Sequence, residues 1–201
     1  MSGGGDLSRF WPPWLDGSLR AELEAAYAGS GRGYHDLRHL AEVLEHVEEL
    51  MDADDPAREA VLLAAWFHDV VYDGQGDLEE RSAQRAEAVL GGSPLGVEVA
   101  RLVRLTGSHR PDEGDRAGHV LCDADLAILA ADPDRYASYT RGVRREYASV
   151  PDADFAAGRA AVLNDLLAKP SLFHTDQGRR RWEQRARANV EAEIRSLTSG
   201  A

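Results

Sequence analysis

The residues best suited to chemistry sit in short polar stretches set against apolar sequence. Tyr34-His35-Asp36-Leu37-Arg38-His39 places two histidines four residues apart. If this stretch is helical throughout, His35 and His39 share one face. His68-Asp69 ends AVLLAAWFHD, the most hydrophobic run of the chain. A histidine and an aspartate there must be paired or coordinated, because burying them bare costs several kcal/mol, and a bound cation would meet that need. Leu121-Cys122-Asp123-Ala124-Asp125-Leu126 again sets carboxylates inside an apolar segment. Helical spacing separates Asp123 from Asp125 by about 200°, so the two should not do the same job. Histidines with carboxylates form a mixed N/O donor set, suited to Mn, Fe, Zn, Ni or Co rather than to a thiolate-selective ion. Taken singly, each stretch also fits a structural polar contact. The order carries the signal: a histidine, then His-Asp about 30 residues on, then an aspartate about 55 further.

The elements that must position these groups read as helices. Leu40, Val43, Leu44, Val47 and Leu50 recur at helix spacing. Val61 to Phe67 is apolar on nearly every side, the pattern of a helix at the centre of a bundle. A helix is expected from about Leu19 to Ala28, with Ser18 as N-cap. Further helices are expected over about 79–90, 95–108, 121–131, 133–149, 152–168 and 178–197, with Asp132-Pro133, Val150-Pro151 and Lys169-Pro170 as punctuation. Strand signals are missing. The expected fold is therefore an all-α, single-domain helical bundle. Residues 1–17 form a loose N-terminal segment docking through Trp11 and Trp14. The domain spans 18–197, with a metal core over about 34–130 and C-terminal helices over about 133–197.

Composition narrows the function. The chain has 201 residues, 43% hydrophobic and 29% charged, enough for a sizeable core. A single cysteine, Cys122, excludes an intrachain disulfide and fits a reducing compartment. MSGGGDLSRF has no basic start and no apolar h-region, so a cytoplasmic protein is expected, with no membrane partner. A net charge of -12 argues against general nucleic-acid binding, while a local arginine cluster could still hold a small anion. GGGDL and GSGRGY do not match a P-loop.

The stretches RGYHDLRHLAEVL, LAAWFHDVVYD, DLEERSA and LCDADLAIL together resemble the HD superfamily, named for its adjacent His-Asp pair. More closely, the chain resembles the bacterial predicted metal-dependent HD phosphohydrolases. RREYASV, GRAAVLNDLL and RARANVEAE extend the resemblance, which covers roughly residues 10–195. It implies a helical bundle of the HD type and hydrolysis of a phosphoester by metal-activated water, in a small phosphorylated substrate with nucleotides the first class to test. His39, His68, Asp69 and Asp125 correspond to the ligands of one divalent transition metal. The closing aspartate of the family follows an alanine, which selects Asp125 over Asp123 and leaves Asp123 to steady a ligand or touch substrate. His35 resembles the histidine that protonates the leaving group in related cyclic-nucleotide phosphodiesterases, with a supporting hydrogen bond as its other reading. His109 falls where some two-metal members carry extra histidines. Their full set is missing here, so one metal is expected and His109 is a phosphate-binding candidate or a loop histidine. The family pattern Asp-Asn-Glu reads Asp77-Leu78-Glu79 here, which puts a hydrogen-bonding role at that position in doubt and leaves Glu79 as a support to a ligand or a solvated side chain. Arg144, Arg159 and Arg187 are candidates for gripping phosphate or for structural pairs with Glu146 or Glu191. The alternatives are a catalytically silent metal- or nucleotide-binding regulatory module and, further off, a di-iron HD oxygenase.

Overall fold

The computed structural model describes residues 6–199, and among them every regular element is helical. The Gly-rich residues 1–5 of the expected loose segment lie outside the described residues. Nine α-helices follow a 3-10 turn at Leu7–Phe10: α1 Gly17–Tyr27, α2 Leu37–Leu50, α3 Arg58–Phe67, α4 Leu78–Leu90, α5 Pro94–Leu105, α6 Arg116–Leu126, α7 Pro133–Glu146, α8 Asp152–Ala168 and α9 Asp176–Ser199. A second 3-10 turn, Ala127–Ala130, prolongs α6. The expected helix over 121–131 therefore starts earlier and tightens in its last turn. Asn189 on α9 donates to the carbonyls of Leu129 and Ala131 and so covers that end.

Aspartates start most of these helices. Asp16, Asp36, Asp77, Asp115 and Asp132 each accept a backbone N–H of the first turn, which satisfies donors the helix itself cannot. Asp16, rather than the expected Ser18, caps α1. Asp36 accepts from the N–H groups of Arg38 and His39. The helix thus starts at Leu37, and His35 lies outside it, so the expected shared helical face of His35 and His39 does not form.

Helix α3 is the centre of the first half. All eight residues from Ala60 to Phe67 are buried, and α2, α4, α5 and α6 pack around it. Burying side chains such as Leu63 and Phe67 stabilises the fold by roughly 1.5–3 kcal/mol each. The N-terminal segment docks here through Trp11, which meets Trp66 edge-on with ring centroids 5.1 Å apart. Trp14 stays 56% exposed and only donates to Glu59, so of the two expected anchors Trp11 carries the packing. A second apolar cluster joins α7, α8, α9 and the Ala127–Ala130 turn around Leu163, Phe173 and Val190. Asp125 sits where the two clusters meet, next to Ala124 of the first and Leu126 of the second. No helix among the described residues is long and apolar enough to cross a membrane.

Candidate metal centre

Three helix ends converge on one point. His39 is the third residue of α2, His68 caps the C-terminus of α3 with Asp69 directly after it, and Asp125 lies in the last turn of α6. His39 Nε2 stands 3.1 Å from His68 Nε2, 3.4 Å from Asp69 Oδ2 and 3.2 Å from Asp125 Oδ1. His68 Nε2 is 3.1 Å from Asp69 Oδ2 and 3.8 Å from Asp125 Oδ1. Both imidazoles are almost fully buried.

This donor set fits a divalent ion. Atoms each about 2.0–2.2 Å from a common ion stand roughly 3–3.6 Å from one another, close to the spacings above. His39, His68 and Asp69 form a group that could hold a metal ion. The Nδ1–H of His68 donates to the Ala65 carbonyl at 2.8 Å, which leaves its Nε2 lone pair aimed at the cluster. Two Nε2 atoms facing at 3.1 Å need a proton or a cation between them. Electrostatics say the same. Burial opposes a charge on His39, yet bonds to Asp125 and Asp69 outweigh it and hold the imidazole up to about 10. Burial also opposes ionisation of Asp69 and Asp125, and the surrounding histidines overcome it, drawing both carboxyls well below the usual range. The pocket is thus built for ionised carboxylates opposite positive charge.

A polar wall stands beside this point. His35 lies with its ring centroid 5.5 Å from that of His39 and stacks on Tyr72 at 4.2 Å. Its Nδ1 is 2.8 Å from Glu146 Oε2. The other oxygen of Glu146 accepts the backbone N–H groups of Gly33, Tyr34 and His35. Burial raises the Glu146 carboxyl, but His35 and these N–H groups bring it down to about 2. The approach of α7 to this loop requires glycine on both sides. A Cβ on Gly142 would stand 2.6 Å from the Gly33 carbonyl oxygen, and one on Gly33 would run into the Gly142 carbonyl. Arg32 staples the loop to the segment just after α3, donating to the carbonyls of His35, Asp69 and Val70.

His109 joins the centre from the loop after α5. Its Nε2 lies 2.8 Å from Asp125 Oδ2, the carboxylate oxygen turned away from His39, so this loop histidine is tied to Asp125 by a hydrogen bond. The remaining candidates lie elsewhere. Asp123, fully buried, accepts from the N–H groups of His174 and Thr175 and from the Thr175 hydroxyl. It steadies the entry to α9 and faces away from the cluster, as a half-turn offset from Asp125 requires. Arg144 clasps Asp152 and the carbonyls of Tyr147 and Val150. Arg159 binds Glu193 and the Tyr139 hydroxyl, and Arg187 binds Glu183. These forks are bonded to protein acceptors, the structural alternative, and the acidic partners are Asp152, Glu193 and Glu183 in place of Glu146 or Glu191. Glu79 lies half-buried against Gly107, two residues before His109. Cys122 is buried beside these carboxylates, and burial pushes its thiol up, which suits a core residue.

Sequence reasoning missed Glu146 as the partner of His35, and missed Arg32. The paired glycines at 33 and 142 are the signal that could have joined the two segments. A cavity of about 310 Å³ reaches His39 and Asp125, walled by Tyr34, Arg38, Arg135 and Trp182. A larger one of about 500 Å³, by His119 and His174, lies at the entry to α9 and includes none of the cluster residues. Comparison with protein-family models, with curated proteins and with solved structures finds no match to this chain.

Proposed function

We propose that this protein is a metal-dependent phosphohydrolase. One divalent transition metal would be held by His39, His68, Asp69 and Asp125, and the substrate would be a small phosphorylated molecule such as a nucleotide. The observation that carries the reading is the convergence of His39, His68 and Asp69 in one group that could hold a metal ion, with Asp125 Oδ1 3.2 Å from His39 Nε2 and 3.8 Å from His68 Nε2. The resemblance of the motif order to the HD superfamily supports it.

A divalent ion bound there would supply a water acidified toward neutral pH and a Lewis acid for a phosphoryl oxygen. The protein's own groups do the rest. His68 is held with Nε2 inward by its bond to Ala65. Glu146 fixes the His35 ring by taking Nδ1, so Nε2 is the atom left to hand a proton to the leaving oxygen. Tyr72 stacks on that ring and donates its hydroxyl to Glu146, which limits rotation. Arg38 and Arg135 line the cavity beside His39, and both bond the Glu42 carboxylate that lines it with them.

The test is a phosphomonoester and phosphodiester panel, nucleotides included, with Mn, Fe, Co, Ni or Zn added. Hydrolysis is expected, read as phosphate released from a monoester or as the monoester product of a diester, with turnover in His35→Asn lower by roughly 10²–10⁴-fold at unchanged metal content. Tight nucleotide binding without turnover by metal-loaded protein would instead mark a silent regulatory module.

A further inference from the structure

His109 is the one non-glycine residue among those described with a left-handed backbone, φ 49°. Such a conformation is uncommon for a side chain of this size and persists where the surroundings hold it. The loop that carries it follows α5, whose last turn leaves carbonyls without helical partners. Lys169, the only lysine of the chain, reaches this loop from the connection between α8 and α9. Its Nζ donates to the carbonyls on both sides of the strained φ–ψ pair, Ser108 at 3.2 Å and His109 at 3.0 Å. Lys169 is itself 92% buried, since only 8% of its surface is exposed. No carboxylate lies within ion-pair distance of it among the described residues, so these carbonyls are its anchors. A compact ammonium satisfies two neighbouring carbonyls, whereas a planar guanidinium fork suits carboxylates. Positive charge at a helix C-terminus is also favoured by the helix dipole. The lysine backbone is clamped in turn, because Arg187 donates to the Lys169 carbonyl at 2.9 Å and the Lys169 N–H bonds to Leu166.

We propose that Lys169 is a positioning residue for the metal centre, holding the His109 loop so that His109 Nε2–H engages Asp125 Oδ2 and turns Oδ1 toward His39 and His68. The chain of contacts runs from Lys169 Nζ to the His109 backbone, from the His109 ring to Asp125, and from Asp125 to the ligand point. The proposal rests on the reading of that point as a metal site. Groups that orient a ligand in this way typically account for 10–100-fold in metal affinity.

The experiment measures Mn(II) and Co(II) affinity by calorimetry in wild type, Lys169→Met, His109→Ala and the double variant. The nitrogen-15 signals of the His109 ring are recorded in the metal-free proteins. Lys169→Met should weaken metal binding 10–100-fold and shift the His109 ring signals. In the His109→Ala background it should add little, because both act along one path. Val190→Ala, a core variant, should lower stability and leave affinity unchanged. If Lys169→Met fails to fold, Lys169→Gln keeps an uncharged amide donor and the same comparison. A folded Lys169 variant with unchanged ring signals and unchanged affinity overturns the proposal, as does a full additional loss in the double variant. If wild type binds neither ion, the metal reading fails, and the His109 ring signals alone then decide whether Lys169 holds the loop.

Discussion

Glu146→Gln tests how the loop before α2 is held. In the native protein Glu146 Oε1 accepts three backbone N–H groups, and Oε2 takes His35 Nδ1 and the Tyr72 hydroxyl. Glutamine can keep the carbonyl-side bonds but turns an NH₂ toward two donors. The magnitude follows from the carboxyl's displacement from 4.5 to about 2, which corresponds to about 3 kcal/mol. Its partner His35 is 22% exposed, so solvent screening brings the expected loss to about 2 kcal/mol. The sign with pH is fixed. A depressed carboxyl stabilises the fold above its unfolded value near 4.5, and this contribution fades as pH falls toward 2. Urea unfolding of wild type and Glu146→Gln should therefore differ by about 2 kcal/mol at pH 7 and by about 1 kcal/mol less near pH 3.5. Equal stabilities at pH 7, or a gap that stays constant with pH, would refute the assignment of an ionised Glu146 as the anchor of this loop.

Other expectations separate the groups that sequence spacing brings together. Asp123→Ala should cost about 3 kcal/mol, because it leaves the His174 and Thr175 donors without an acceptor, while metal content stays unchanged. Asp125→Ala should instead lower metal content. Elemental analysis beside thermal unfolding distinguishes the two. Gly142→Ala should destabilise by about 1–3 kcal/mol through its clash with Gly33, and the His35 ring signals should shift as Glu146 moves away.

The bundle and the inner face of the site were legible because ionisable groups stood where apolar periodicity demanded burial. His68-Asp69 after AVLLAAWF is the clearest case, and the half-turn between Asp123 and Asp125 sorted their directions. The reading of His35 as a helical residue failed because Asp36 caps α2 and ends the helical stretch one residue after it. Glu146 was hidden by distance along the chain. It lies in an arginine-rich helix, RGVRRE, where pairing with a neighbouring arginine is the simpler local reading. Only the close approach of two glycine backbones carries it to His35. The acceptors that fill the forks of Arg144 and Arg159 were hidden for the same reason, since Asp152 and Glu193 lie on other helices.

The most direct test is the metal content of the protein purified without chelator or affinity tag. Wild type should carry about one transition metal per chain, as expected for a single four-donor site. His68→Ala and Asp69→Asn, checked for helical content, should carry almost none. Folded wild type that takes up no Mn, Fe, Co, Ni or Zn, or variants that keep full occupancy, would contradict the assignment of His39, His68, Asp69 and Asp125 as a metal centre.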